Sequence, residues 1–118
     1  MNAVKLNLLV LKTHQLDRLR AFYGVMGIAF VEEKHGEGPL HLAARVGDVV
    51  VELYPLPADA GPADATTRLG FSVFDLDAVM RSLEALQAVV VSRPKMTPWG
   101  RRAVVRDPDG RAVELVQG

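Results

Sequence analysis

Two rhythms of apolar residues alternate along this chain, and their order repeats. Residues 4–12, VKLNLLVLK, form a branched, apolar run with the composition of a strand. Leu16, Leu19, Phe22, Tyr23 and Met26 follow at helical spacing and predict a helix over residues 15–26, with Gly27 suited to close it. Strand patterning returns over 28–33, 39–46 and 49–54, with the turns KHGEG and GD between those segments. The second half repeats the order: a strand over 68–74, then Asp75 as N-cap of a helix carrying Leu76, Val79, Met80, Leu83 and Leu86. Strands over 88–92, 101–106 and 111–116 complete it.

The two halves align residue by residue. At an offset of 60, Leu16-Asp17 falls on Leu76-Asp77, Leu9 on Leu69 and Leu11 on Phe71. Near the ends of the halves VVVELYP aligns with RAVELVQ at an offset of 62, which makes Glu52 and Glu114 equivalent. Such a period marks one supersecondary unit used twice. Between the units, PLPADAGPADATT has the Pro, Ala, Asp and Gly content of a connection. The expected organisation is a single domain over 1–118: module one at about 1–56, a linker at about 57–66 and module two at about 67–118. Each β-α-β-β-β module, at about 60 residues, would be marginal alone. The expected fold is therefore α+β, with two paired modules forming a curved eight-stranded cup and two outer helices.

Composition narrows the partners. Fourteen basic residues balance fourteen acidic ones without like-charge blocks, so neither nucleic acid nor an anionic membrane is an expected partner. Cysteine is absent, which excludes disulfides, thiolate metal sites and cysteine nucleophiles. The apolar run near the start is far shorter than the roughly 18 residues of a membrane span, so a cytoplasmic location is expected.

The paired β-α-β-β-β order, LDRLRAFYGVMGIAF after the first strand, and PWGRR leading into VVRDPDGRAVEL together resemble the vicinal oxygen chelate superfamily, which includes glyoxalase I, bleomycin-resistance proteins and extradiol dioxygenases. The resemblance spans nearly the whole chain and implies a cup that binds a metal or a small molecule, often in a homodimer. In metal-using members the first and last strands of each module supply the ligands. Here the last-strand positions hold Glu52 and Glu114, whereas the first-strand positions hold Leu8 and Arg68. Leucine and arginine do not ligate a cation, so no metal cofactor is expected, and Arg68 is expected to replace it by pairing with Glu114, Glu52 or both.

Other residues complete the expected site. His41 alternates with Leu40 and Leu42, which points it into the cup as a proton-transfer group, and Glu114 is the other candidate base. Tyr54, Trp99 and Arg101, followed by Arg102, are placed to hold an aromatic or acidic ligand at the rim, with Arg68 and Glu52 inside. His14, at the helix entrance, and His35, in the KHGEG turn, read as exposed or capping residues. An iron dioxygenase centre needs two histidines and a carboxylate, and only His41 is placed for one. Ser72, Ser82 and Ser92 lack a nucleophile elbow. The leading expectation is a small-molecule binding protein without a metal. The alternatives are a glyoxalase-type lyase or isomerase using a divalent ion on Glu52 and Glu114, and a metal-free enzyme with Glu114 or His41 as base.

Overall fold

The computed structural model describes residues 3–118 and divides the chain into two compact units, Met1–Ala63 and Asp64–Gly118. The first unit contains β1 (Leu8–Thr13), α1 (Leu16–Gly24), β2 (Val31–Glu33), β3 (His41–Val46) and β4 (Val49–Pro55). Its sheet runs β1-β4-β3-β2, with β1 parallel to β4 and the other pairs antiparallel. The second unit contains β5 (Leu69–Val73), α2 (Leu76–Ala85), β6 (Val89–Thr97), β7 (Gly100–Arg106) and β8 (Ala112–Gln117), in the sheet order β5-β8-β7-β6. The predicted β-α-β-β-β order is thus present twice, in two four-stranded sheets.

One face of each sheet is sealed by its helix. In unit one Leu11, Val51, Leu53 and Leu42 pack with Leu19, Phe22 and Tyr23, the last two edge to face with centroids 4.9 Å apart. Unit two uses Val73, Val105, Val113 and Leu115 against Leu76, Val79, Met80 and Leu83. Strand side chains alternate between faces, so burying one set commits the other to the opposite face. That opposite face carries Glu52 in unit one and Glu114 in unit two.

Registers confirm the repeat. Val10 stands opposite Glu52 on β4, and Gly70 stands opposite Glu114 on β8; Ala43 and Val104 flank the same two carboxylates on the other side. The helix starts differ between the units. Asp75 accepts a hydrogen bond from Ala78 N at 3.0 Å and Gln117 accepts one from Leu76 N at 2.8 Å, whereas Gln15 makes no side-chain cap. Three boundaries depart most from expectation, the first being that residues 4–7 stay outside β1. Residues 28–30 stay outside β2, and β6 continues through Pro94 to Thr97. Its position at the sheet edge, with register shifts on either side of Ser92, accommodates a residue that cannot donate to a ladder.

Candidate functional site

In unit one a row of side chains crosses the open face. Glu33 on β2 is opposite His41 on β3, and Tyr54 on β4 lies beside it. The His41 ring stacks on Tyr54, with centroids 4.1 Å apart and planes 9° from parallel. Only 1% of His41 is exposed. Its Nδ1 is 3.2 Å from the Pro39 carbonyl oxygen, which can only accept, so Nδ1 carries the proton of that hydrogen bond. Nε2 faces two carboxylates, with Glu33 Oε1 at 3.4 Å and Glu52 Oε2 at 3.6 Å, and it makes no hydrogen bond. The Tyr54 hydroxyl, held in the same setting, is pushed above its ordinary pKa by desolvation and then by the charges of Glu52 and Glu33.

His35 completes the group. Its ring is largely exposed, its Nε2 lies 3.5 Å from Glu33 Oε1, and its centroid is 5.1 Å from that of His41. One ligand atom from each of Glu33, His35 and His41 lies within 4.8 Å of the others. The premise that His41 alone is placed for a two-histidine, one-carboxylate set is therefore corrected. Sequence reading left out Glu33 and assigned His35 to an ordinary turn. The available signal was the spacing Glu-x-His-x5-His across a single hairpin.

Unit two presents a different arrangement around the equivalent carboxylate. Glu114 accepts from Arg68 Nε at 2.8 Å, with Arg68 Nη2 on the same oxygen, and Arg102 Nη2 stands 2.9 Å from that oxygen. The expected Arg68–Glu114 pair is present, and a second guanidinium joins it. Gly70, opposite Glu114, adds no side chain to this face. Arg102, expected beside Arg101 to neutralise an acidic ligand, reaches Glu114 because alternate residues of β7 share that face. Arg101 projects to the other side, where its Nη2 contacts Asp77 on α2 at 2.8 Å.

The remaining predicted residues separate in space. Trp99 sits in the turn between β6 and β7, 76% exposed, with its backbone N donating to Thr97 Oγ1 at 3.2 Å. His14 Nε2 donates to the Gly61 carbonyl at 2.5 Å and takes no part in the cluster around His41. The DPDGR segment, the most specific motif of the sequence, is a structural knot. Asp107 Oδ1 accepts from the backbone N of Asp109 and of Arg111, while Arg111 Nη1 is 3.1 Å from Asp107 Oδ2 and 3.0 Å from Asp109 Oδ2. Gly110, at φ +96°, takes the left-handed turn position that the motif requires.

These contacts test the metal centre that the resemblance implies. Leu8 offers no donor atom, Arg68 brings a positive charge to the corresponding place in unit two, and Glu114 is already engaged by two cations. The residues at those positions do not fit a metal of that kind, although Glu52 is a carboxylate beside His41.

Similarity to known proteins agrees with the architecture. The model of the Glyoxalase/Bleomycin resistance protein/Dioxygenase superfamily matches residues 5–115. No curated protein matches the chain. Among solved structures, TnmS3, an antibiotic binding protein from Streptomyces sp. CB03234, is 26% identical with a TM-score of 0.74, over 99% of this chain and 98% of that one. A glyoxalase/bleomycin resistance protein from the same organism is also 26% identical, with a TM-score of 0.70 over 96% of this chain and all (100%) of that one. Oxidase ChaP-H2, at 16% identity and a TM-score of 0.78 over 99% and 95% of the two chains, shares the fold. With its twice-used β-α-β-β-β unit and a family match from residue 5 to residue 115, the chain belongs to the glyoxalase/bleomycin resistance protein/dioxygenase superfamily.

Proposed function

We propose that this protein binds a small organic molecule and does so without a metal at Glu114. The observation that carries this reading is the double guanidinium contact on Glu114, from Arg68 and Arg102. A carboxylate whose charge is already matched by two arginines gains little from a cation, and the arginines would repel one. The likeness to TnmS3, an antibiotic binding protein, supports the same reading.

In this proposal Arg68 and Trp99 in unit two, and Glu52 and Tyr54 in unit one, are ligand contacts, with His41 and Glu114 as the groups that can move a proton if the ligand is transformed; Arg101, turned to Asp77 on the helix side, takes no part. Stacked and exposed aromatic rings suit a planar, partly apolar ligand, and the arginines suit an acidic substituent. A second copy of the chain covering exposed apolar residues such as Leu8 and Val31 forms a homodimer in the same reading, which sedimentation equilibrium tests.

Trp99 is the single tryptophan and supplies the readout. Planar aromatic acids and polycyclic natural-product scaffolds are titrated into chelator-treated protein while Trp99 emission and thermal shift are followed. Saturable binding without metal, weakened in Arg68→Ala and Tyr54→Ala, is the expected result. Binding that disappears on chelation and returns with a divalent ion would overturn it.

A further inference from the structure

We propose that the β2–β3 hairpin of unit one is a binding site for a first-row divalent cation of the Zn2+ class, held by Glu33, His35 and His41. The site is separate from the first-strand and last-strand positions of the family's metal centre, since all three residues lie on one hairpin.

With His41 Nδ1 donating to the Pro39 carbonyl, a neutral ring leaves the Nε2 lone pair pointing toward two carboxylates in a position closed to water. Three electron-rich atoms then converge with nothing between them. At 3.4 and 3.6 Å neither carboxylate makes a hydrogen bond to Nε2, and a divalent cation bound there would relieve the repulsion. A ring that gives its second N–H to a backbone carbonyl, leaving the other nitrogen bare, is the arrangement that orients metal-bound histidine. The stack on Tyr54 fixes the ring plane further.

Two of the three spacings match the ion, and the third, between the two imidazole nitrogens, lies within 4.8 Å. Zinc bonds of about 2.0–2.2 Å to N and O in a tetrahedral site place neighbouring ligand atoms about 3.4 Å apart. Glu33 Oε1 stands 3.4 Å from His41 Nε2 and 3.5 Å from His35 Nε2. One carboxylate oxygen is thus at tetrahedral edge distance from both imidazole nitrogens. Two imidazoles with one carboxylate select borderline ions over Mg2+ or Ca2+, which prefer all-oxygen sites. Glu52 adds negative charge beside the same nitrogen of His41. The exposed His35 ring leaves one flank open to solvent, so a fourth position is available to water or to a ligand donor.

The test uses the full chain, stripped with chelator and titrated with Zn2+ alone by calorimetry, with Co2+ as a spectroscopic substitute. The expected result is one ion per chain, tetrahedral Co2+ bands in the visible, and a shift of the His41 Nε2 resonance in 15N spectra. His41 is buried and its loss endangers folding, so the variants are His35→Ala and Glu33→Gln, with circular dichroism as the control for folding. Each should weaken Zn2+ binding by more than about 10-fold, the lower end of what losing even an outer-shell partner does to a metal site. Wild-type affinity in both folded variants, absence of stoichiometric binding, or a protonated His41 Nε2 that Zn2+ does not displace would each overturn the proposal. Ligand binding by the chelator-treated protein is read separately, so failure here leaves the small-molecule reading intact.

Discussion

Arg111 lies 3.1 Å from Asp107, with both side chains closed off from water at the turn that joins β7 to β8. Breaking a buried pair from one side strands the other charge, which costs far more than losing a surface contact. Arg111→Met should therefore lower unfolding stability by about 3–5 kcal/mol, since Asp107 and Asp109 would remain buried without their cation. Urea denaturation measures this, and a change below about 1 kcal/mol would show that the motif is not a structural lock. The burial of Arg111 also raises the question of cost: desolvation pulls its pKa down, but the hydrogen bonds and charges of Asp107 and Asp109 outweigh it and leave the pKa above the ordinary value.

The two arginines on Glu114 should differ in their effects. Arg68 is 57% exposed and Arg102 24%, so water and salt screen the first pair more strongly. Arg68→Met is expected to change stability by less than about 1 kcal/mol, with the small loss fading in high salt. Arg102→Met should cost more and keep most of its cost at high salt. Equal, salt-independent losses in the two variants would contradict this ordering.

Much of the fold was legible because the core requires a strict period. The 60-residue repeat, visible in Leu9, Leu11 and their partners, led to the equivalence of Glu52 and Glu114, and the registers Val10–Glu52 and Gly70–Glu114 bear it out. The Arg68–Glu114 contact was equally legible from alternation along β5. What escaped was short-range in sequence but set by tertiary pairing. β2 has only three residues, and the turn after it places His35 beside Glu33, a geometry that no hydrophobic period encodes. The contact of Arg102 with Glu114 escaped for a simpler reason. The β7–β8 register puts Val104 opposite Glu114, so the even-numbered neighbour shares the carboxylate's face. Counting outward from the DPDG turn would have found it.

The unequal helix starts carry a third prediction. Asp75 caps α2 through Ala78 N, and Gln117 adds a contact from β8, while Gln15 gives α1 no equivalent bond. Asp75→Ala should cost about 1 kcal/mol, and Gln15→Ala should fall within a few tenths of wild type. Thermal unfolding of the two variants side by side makes the comparison. A Gln15→Ala loss as large as that of Asp75→Ala would mean that α1 is held at its start by something other than the contacts described.

Asp64, at the opening of unit two, gives stability a dependence on pH. Its carboxyl is held well below the usual carboxylate range, chiefly by a hydrogen bond from the Thr67 side chain and then by the Thr66 backbone and hydroxyl. A lowered folded-state pKa means that the unfolded chain binds the proton more readily. The contribution is therefore complete above the ordinary value of 3.8 and is lost as pH falls below it toward the folded-state value. Asparagine keeps the carbonyl oxygen and removes the charge, so Asp64→Asn isolates this effect. Near neutral pH the variant should unfold at lower urea than wild type, and the gap between the two midpoints should narrow steadily in acid. A gap that stays constant from neutral to strongly acidic pH would show that ionised Asp64 does not favour the folded state.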